Sequence, residues 1–237
     1  MKQLVEQVHP EWQEILENAL VGVNSDYLQG IKQQTDWLPG SANLLAAFQQ
    51  PLSSVRYILL GESPYPRPQS ANGYAFWDAS VQALWSASGF SKEVNRATSL
   101  RNFFKMLLLA RGDLDTNFSQ PAIATLDKSS YWQTADAFFA AMLSQGFLLL
   151  NASLVYEEDK IRYHAQQWQP FIHSLFKQLA ISKPSLKLIL FGRIAAAVPD
   201  AHLFPCVLAE HPYNLTFITN PVVLDFFKPM DLLSNHV

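Results

Sequence analysis

Four short, largely apolar runs, at 55–60, 146–150, 186–191 and 206–209, each end in a glycine or a polar turn and alternate with segments of helical periodicity. Short apolar runs without polar alternation are strands buried on both faces, and helices between such strands call for a parallel sheet with right-handed crossovers. The spacing therefore predicts an α/β fold. Ligands of open α/β sheets bind beyond the carboxyl ends of the strands, so residues just past each run are the first candidates for a site.

Between the runs, Trp12, Ile15, Leu16, Ala19 and Leu20 recur at helical spacing behind Pro10. Leu44, Leu45 and Phe48 predict a second helical segment after Pro39, Gly40 and Ser41. Thr98 or Ser99 is placed to cap a helix carrying Leu100, Phe103, Phe104, Leu107 and Leu108, closed by Gly112. A polar, turn-rich excursion is expected over 113–130, with helices over 132–143 and 165–180. At 237 residues and 49% hydrophobic composition the chain can bury a full core, and a single domain over 1–237 is expected.

Charge and cysteine count narrow the function classes. A net charge of -3 argues against a purely electrostatic nucleic-acid binder. The lone Cys206 excludes an intrachain disulfide and any four-cysteine cluster, and the six histidines lack metal-ligand spacing. No metal and no cofactor are expected. The first residues lack the apolar core of a signal peptide, and no apolar run approaches the ~20 residues needed to span a bilayer. A cytoplasmic monomer without membrane contact is the expectation.

The first run delivers Gly61, Glu62, Ser63, Pro64 and Tyr65; the second delivers Asn151; the fourth delivers His211; and Phe76 returns from the first loop. An aromatic face, a side-chain amide that reads donor and acceptor edges, and an imidazole that meets a carbonyl oxygen suit a flat heterocycle such as a nucleobase. Each residue also has a plainer reading. Phe76 fits a core, Asn151 a turn or helix cap, and His211 an ordinary loop before proline.

In order, the chain carries GESPYP, NGYAFW, SLRNFF, LLLNA, LILFG and HPYNL. This series resembles the uracil-DNA glycosylase superfamily, closest to its classical branch, with GQDPYH, HGLCFS, PSL, LLLNA, LLWG and HPSPL. The resemblance runs from about 38 to 233 and implies a three-layer α/β/α sandwich with a central four-stranded parallel sheet. It implies excision of uracil or another damaged base from DNA in base excision repair. Phe76 would stack on the base, Asn151 would read its edge and Tyr65 would exclude a C5 methyl. His211 would face uracil O2, and Leu215 would fill the gap left by the flipped nucleotide.

The departures are equally specific. Ser63, neutral at pH 7, stands where the classical branch carries the aspartate that handles water and the cationic sugar. Glu62 is adjacent, but neighbouring positions on an extended segment point opposite ways, so it is expected at the base through its backbone, with its side chain in an ion pair or solvent. Pro66 replaces a histidine, and an insertion at about 78–97 stands before the Ser-Leu pair, where it could cover the pocket. Of the serines that grip the DNA backbone, Ser99 and Thr216 remain as counterparts, Tyr213 replaces one, and Arg193 is a charge-assisted substitute. Segment 217–227 contains no Lys or Arg, so DNA binding is expected to be weak and salt-dependent. Two functions fit this pattern: a glycosylase of reduced activity, or an inactive relative that binds DNA, a base or a protein.

Overall fold

The structure, a computed structural model, describes residues 2–235. Its main sheet has strands β1 (Tyr57–Gly61), β4 (Phe147–Asn151), β5 (Lys187–Phe191) and β6 (Cys206–Ala209), ordered β4-β1-β5-β6. β1 pairs in parallel with β4 and with β5. A separate two-stranded sheet joins β2 (Trp85–Ser86) to β3 (Gly89–Phe90). In chain order the helices are α1 (Lys2–Val5), α2 (Gln13–Val21), α3 (Ser25–Gln33), α4 (Lys92–Arg96), α5 (Thr98–Arg111), α6 (Gln120–Ala124), α7 (Ala135–Ser144), α8 (Ile161–Ser182), α9 (Ile194–Ala197) and α10 (Pro221–Phe227). This is the expected α/β fold with a four-stranded parallel sheet. No helix among the described residues is long and apolar enough to cross a membrane.

The chain divides into two compact units. The first holds the chain up to Asp78, Leu143–Leu190 and Ile194–Cys206. Its core sets Ile58, Leu60, Leu148, Leu150, Leu188 and Leu190 from the strands against Leu16 and Leu20 of α2 and Trp168, Phe171 and Leu175 of α8. All five residues of β4 are buried, which explains its unbroken apolar sequence. The second unit holds Ala79–Met142, Phe191–Arg193 and the chain from Val207. Its aromatic centre links Phe104 to Phe138 at 4.8 Å and Phe103 to Phe227 at 5.3 Å between ring centroids.

Several local expectations change. The segment around Leu44–Phe48 is helical but of 3-10 type, with turns at Ser41–Asn43 and Ala46–Phe48, and Leu44, Leu45, Ala47 and Phe48 are all buried. Neither Thr98 nor Ser99 caps α5, because Thr98 is already its first residue and Ala97 precedes it without a capping side chain. The predicted excursion contains α6, capped by the Ser119 hydroxyl on the Ala122 amide. Segment 78–97 forms β2, β3 and α4 and is tied into the second unit through Leu84 N to Gln133 O and Trp85 Nε1 to Trp132 O.

A buried polar relay joins α3 to α8 in the first unit. The Tyr27 hydroxyl lies 2.8 Å from Nδ1 of His164, and His164 Nε2 lies 3.3 Å from Glu157, which also pairs with Lys160. A neutral imidazole satisfies both ends by accepting from tyrosine and donating to the carboxylate. Burial lowers the His164 pKa from 6.5, opposed by the bond to Glu157. A histidine depressed in the folded state stabilises the fold above its unfolded pKa, and this stability is lost as pH falls from 6.5 toward the folded value. The melting temperature is thus expected to fall between pH 7 and 5.5, and to fall less in His164→Gln. Equal pH slopes in the two proteins would remove His164 from this role.

Candidate active site

In the first unit, β1 ends at Gly61 directly opposite Asn151, the last residue of β4. Asn151 is 2% exposed, and its side-chain amide has no hydrogen-bond partner among the described residues. Its amide atoms are not among the buried unpartnered groups, so the side chain is held by packing while its donors and acceptor stay open to whatever enters beside it. Glycine at 61 makes this arrangement possible, since a Cβ there would lie 2.5 Å from Asn151 Oδ1 and 3.0 Å from the Ala75 methyl. The terminal glycine of this motif thus serves the asparagine on the neighbouring strand, a link invisible in a linear reading.

The loop beyond β1 is held by its own polar contacts. Ser153 N donates to Glu62 O at 2.9 Å, and the Glu62 side chain is exposed. Ser63 is half-buried and Pro64 buried. The Tyr65 hydroxyl donates to Phe76 O at 3.2 Å, while Ala75 N donates to Leu149 O at 3.1 Å, so Phe76 and Tyr65 both stand beside the exit of β4. Burial, reinforced by the Asp78 charge and opposed by Arg67, keeps the Tyr65 phenol far above its usual pKa and therefore a donor. Phe76 has a φ of 64°, in the left-handed region that bulky residues avoid. Backbone strain of this kind costs on the order of 1–3 kcal/mol and concentrates where ligands are held. The structure therefore groups Glu62, Ser63, Tyr65, Phe76 and Asn151 at one end of the first unit's strands.

In the second unit, β6 leads into Glu210, His211 and Pro212. Tyr213 N donates to His211 Nδ1 at 3.1 Å, so the neutral ring carries its proton on Nε2 and presents it as a donor. The turn is fixed by Asn214 N to His211 O at 2.9 Å and, from beneath, by the fully buried Asn102 of α5, whose amide donates to Pro212 O at 2.8 Å. Gly192, at φ 72°, allows close passage: a Cβ would lie 2.9 Å from that of His211. Sequence reading passed over Asn102. The SLRNFF stretch places it on a helix among apolar residues, where a buried asparagine calls for a buried carbonyl to bind.

The remaining candidates also lie in the second unit. Tyr213 is 67% and Leu215 70% exposed, presenting large side chains to solvent from a pinned turn. Arg193 is exposed and Ser99 half-buried in the first turn of α5. Thr216 is exposed, with its hydroxyl close enough to the Glu210 carboxylate to favour its charge, and Asn220 Nδ2 contacts that carboxylate at 2.7 Å. Burial raises the Glu210 pKa, yet its own backbone amide with Thr216 and Asn220 outweighs this and holds it below the usual value. Thr216 thus faces an anion.

No family model matches the chain. It is 30% identical over 210 residues to a uracil-DNA glycosylase of Thermobifida fusca, covering 85% of this chain and 78% of that protein. It is also 30% identical over 215 residues to uracil-DNA glycosylase 1 of Streptomyces coelicolor, covering 88% and 82%. Among solved structures, wild-type UNG from Nitratifractor salsuginis superposes with a TM-score of 0.92 at 42% identity, over 98% of this chain and 96% of that one. The mimivirus uracil-DNA glycosylase shares the fold at a TM-score of 0.62 and 16% identity, over 90% of this chain and 71% of that one. With such agreement along nearly its whole length, the chain belongs to the uracil-DNA glycosylase family.

Proposed function

We propose that the protein hydrolyses the N-glycosidic bond of uracil, or of another damaged base, in DNA. The observation that carries this reading is Asn151, a largely buried residue at the end of β4 whose accessible side-chain amide has no hydrogen-bond partner among the described residues, opposite the strand that leads into the Tyr65–Phe76 loop. A side-chain amide offers one acceptor and two donors, the complement of a pyrimidine edge. Phe76 stacks on the base, and Tyr65 occupies the space that a C5 methyl would need. Water adds its oxygen to C1′ of the sugar and gives up a proton to solvent, while the C1′–N1 bond breaks and the base departs with the electron pair, to be protonated in turn from solvent. The negative charge that collects on the base oxygen is met by the Nε2–H of His211, fixed by the Tyr213 amide. Leu215 enters the stack in place of the extruded base, offsetting part of the few kcal/mol that unstacking costs. Ser63 orients the water but cannot take its proton as a carboxylate would, so turnover is slow.

That neutral residue favours a second reading, an inactive member that binds DNA, a free base or a protein. Single-turnover excision at low salt and excess enzyme separates the two. Single-stranded oligonucleotides carrying one uracil are expected to yield alkali-labile abasic sites. A folded protein that gives no product from uracil or from a panel of damaged bases would replace the glycosylase with the binder.

A further inference from the structure

We infer that helices α4 and α5 carry a phosphate-binding strip, built by Arg96, Arg101 and Lys105 with Lys92 at its outer end, along which the DNA backbone runs. The inference rests on the DNA reading above and adds the surface that supplies affinity. Residues 92–110 contain these four cations and a single acid, Glu93, in a chain whose net charge is -3. Lys92 and Arg96 are exposed, and Arg101 and Lys105 are half-buried.

The strip is not neutralised from within. Among the described residues none of the four forms an ion pair with a carboxylate. By contrast, Arg111 at the end of the same helix is held by Asp113 at 2.9 Å and Asp231 at 2.6 Å. Arg101 instead donates to Asn95 O at 2.7 Å, which fastens the end of α4 to the start of α5. Burial and then the Arg101 charge lower the Lys105 pKa. Two like charges at i and i+4 on one helix are destabilising, and an anion between them reverses the sign.

Duplex or single-stranded DNA fits this strip better than an isolated anion. Four residues of α-helix separate Arg101 from Lys105 by about 6 Å along the axis, close to two ~3.4 Å steps of a nucleic-acid strand. The same helix holds the exposed turn in place: Asn102 binds Pro212 O at 2.8 Å, and the Phe103 ring packs 6.4 Å from Phe217. One rigid element thus joins the cations to the segment presenting Tyr213 and Leu215. The cations missing from 217–227 are found on another element of the same unit.

The test is the salt dependence of binding to an undamaged duplex and to one of its single strands, so that no excision is needed. The slope of log K against log salt is expected to become shallower by about 0.9 on duplex and 0.7 on single strand for each of Arg96→Gln, Arg101→Gln and Lys105→Gln. Arg101→Lys and Lys105→Arg are expected to keep the wild-type slope, and Lys177→Gln, far along the chain on α8, to leave it unchanged. Melting temperatures confirm that each variant is folded. Unchanged slopes in all three Gln variants, an equal drop in Lys177→Gln, or a wild type that binds no DNA would each overturn the strip. Loss of slope in a protein that excises no base would keep the strip and overturn the glycosylase.

Discussion

His211→Ala is expected to lower single-turnover excision of uracil by about 10²–10³-fold, the loss produced by removing one donor to a developing oxyanion. The interaction strengthens as charge moves onto the base, so the maximal rate should fall while substrate affinity changes little. The structure makes this a clean substitution. Alanine retains the Cβ that packs against Gly192, and the turn keeps its other supports, Asn214 N to His211 O and Asn102 to Pro212 O. The change therefore deletes the Nε2–H without releasing the backbone. If the variant cleaves within a few-fold of wild type, His211 is not the group that meets the leaving base, and the donor has to be sought elsewhere.

The strands were legible because burial leaves a strong mark in sequence. The apolar runs at 55–60, 146–150 and 186–191 fall within one or two residues of Tyr57–Gly61, Phe147–Asn151 and Lys187–Phe191, and 206–209 coincides with Cys206–Ala209. Continuous apolar residues of that length have few other stable environments. Elements with thinner apolar faces escaped notice. α3 buries only Tyr27 and Ile31, and the β2–β3 hairpin is two residues per strand, too short for any period. The candidate residues at the strand ends could be named from order alone, but what makes them usable is three-dimensional. Gly61 clears Asn151 from a neighbouring strand, and Asn102 braces the His211 turn from 110 positions away. Both depend on which chains are adjacent after folding. The cations of α4 and α5 were visible as letters, yet their lack of carboxylate partners was not.

Ser63→Asp is expected to raise uracil excision at least ~10-fold, within the range a positioned general base supplies. A carboxylate can both accept the proton of the attacking water and lie against the positive charge that builds on the sugar, neither of which a hydroxyl does. The backbone is prepared to hold it. Glu62 O is fixed by Ser153 N at 2.9 Å, and Pro64 on the other side is buried, so the side chain at 63 has a defined direction. Glu62 does not already fill the role, because its side chain is exposed and adjacent residues of an extended segment face apart. The gain carries a signature beyond its size. The rate should acquire a dependence on an ionised carboxylate, declining in acid as the new group is protonated near its reference value of about 3.9. A folded variant with no gain and no acid limb would mean that position 63 does not reach the reacting sugar.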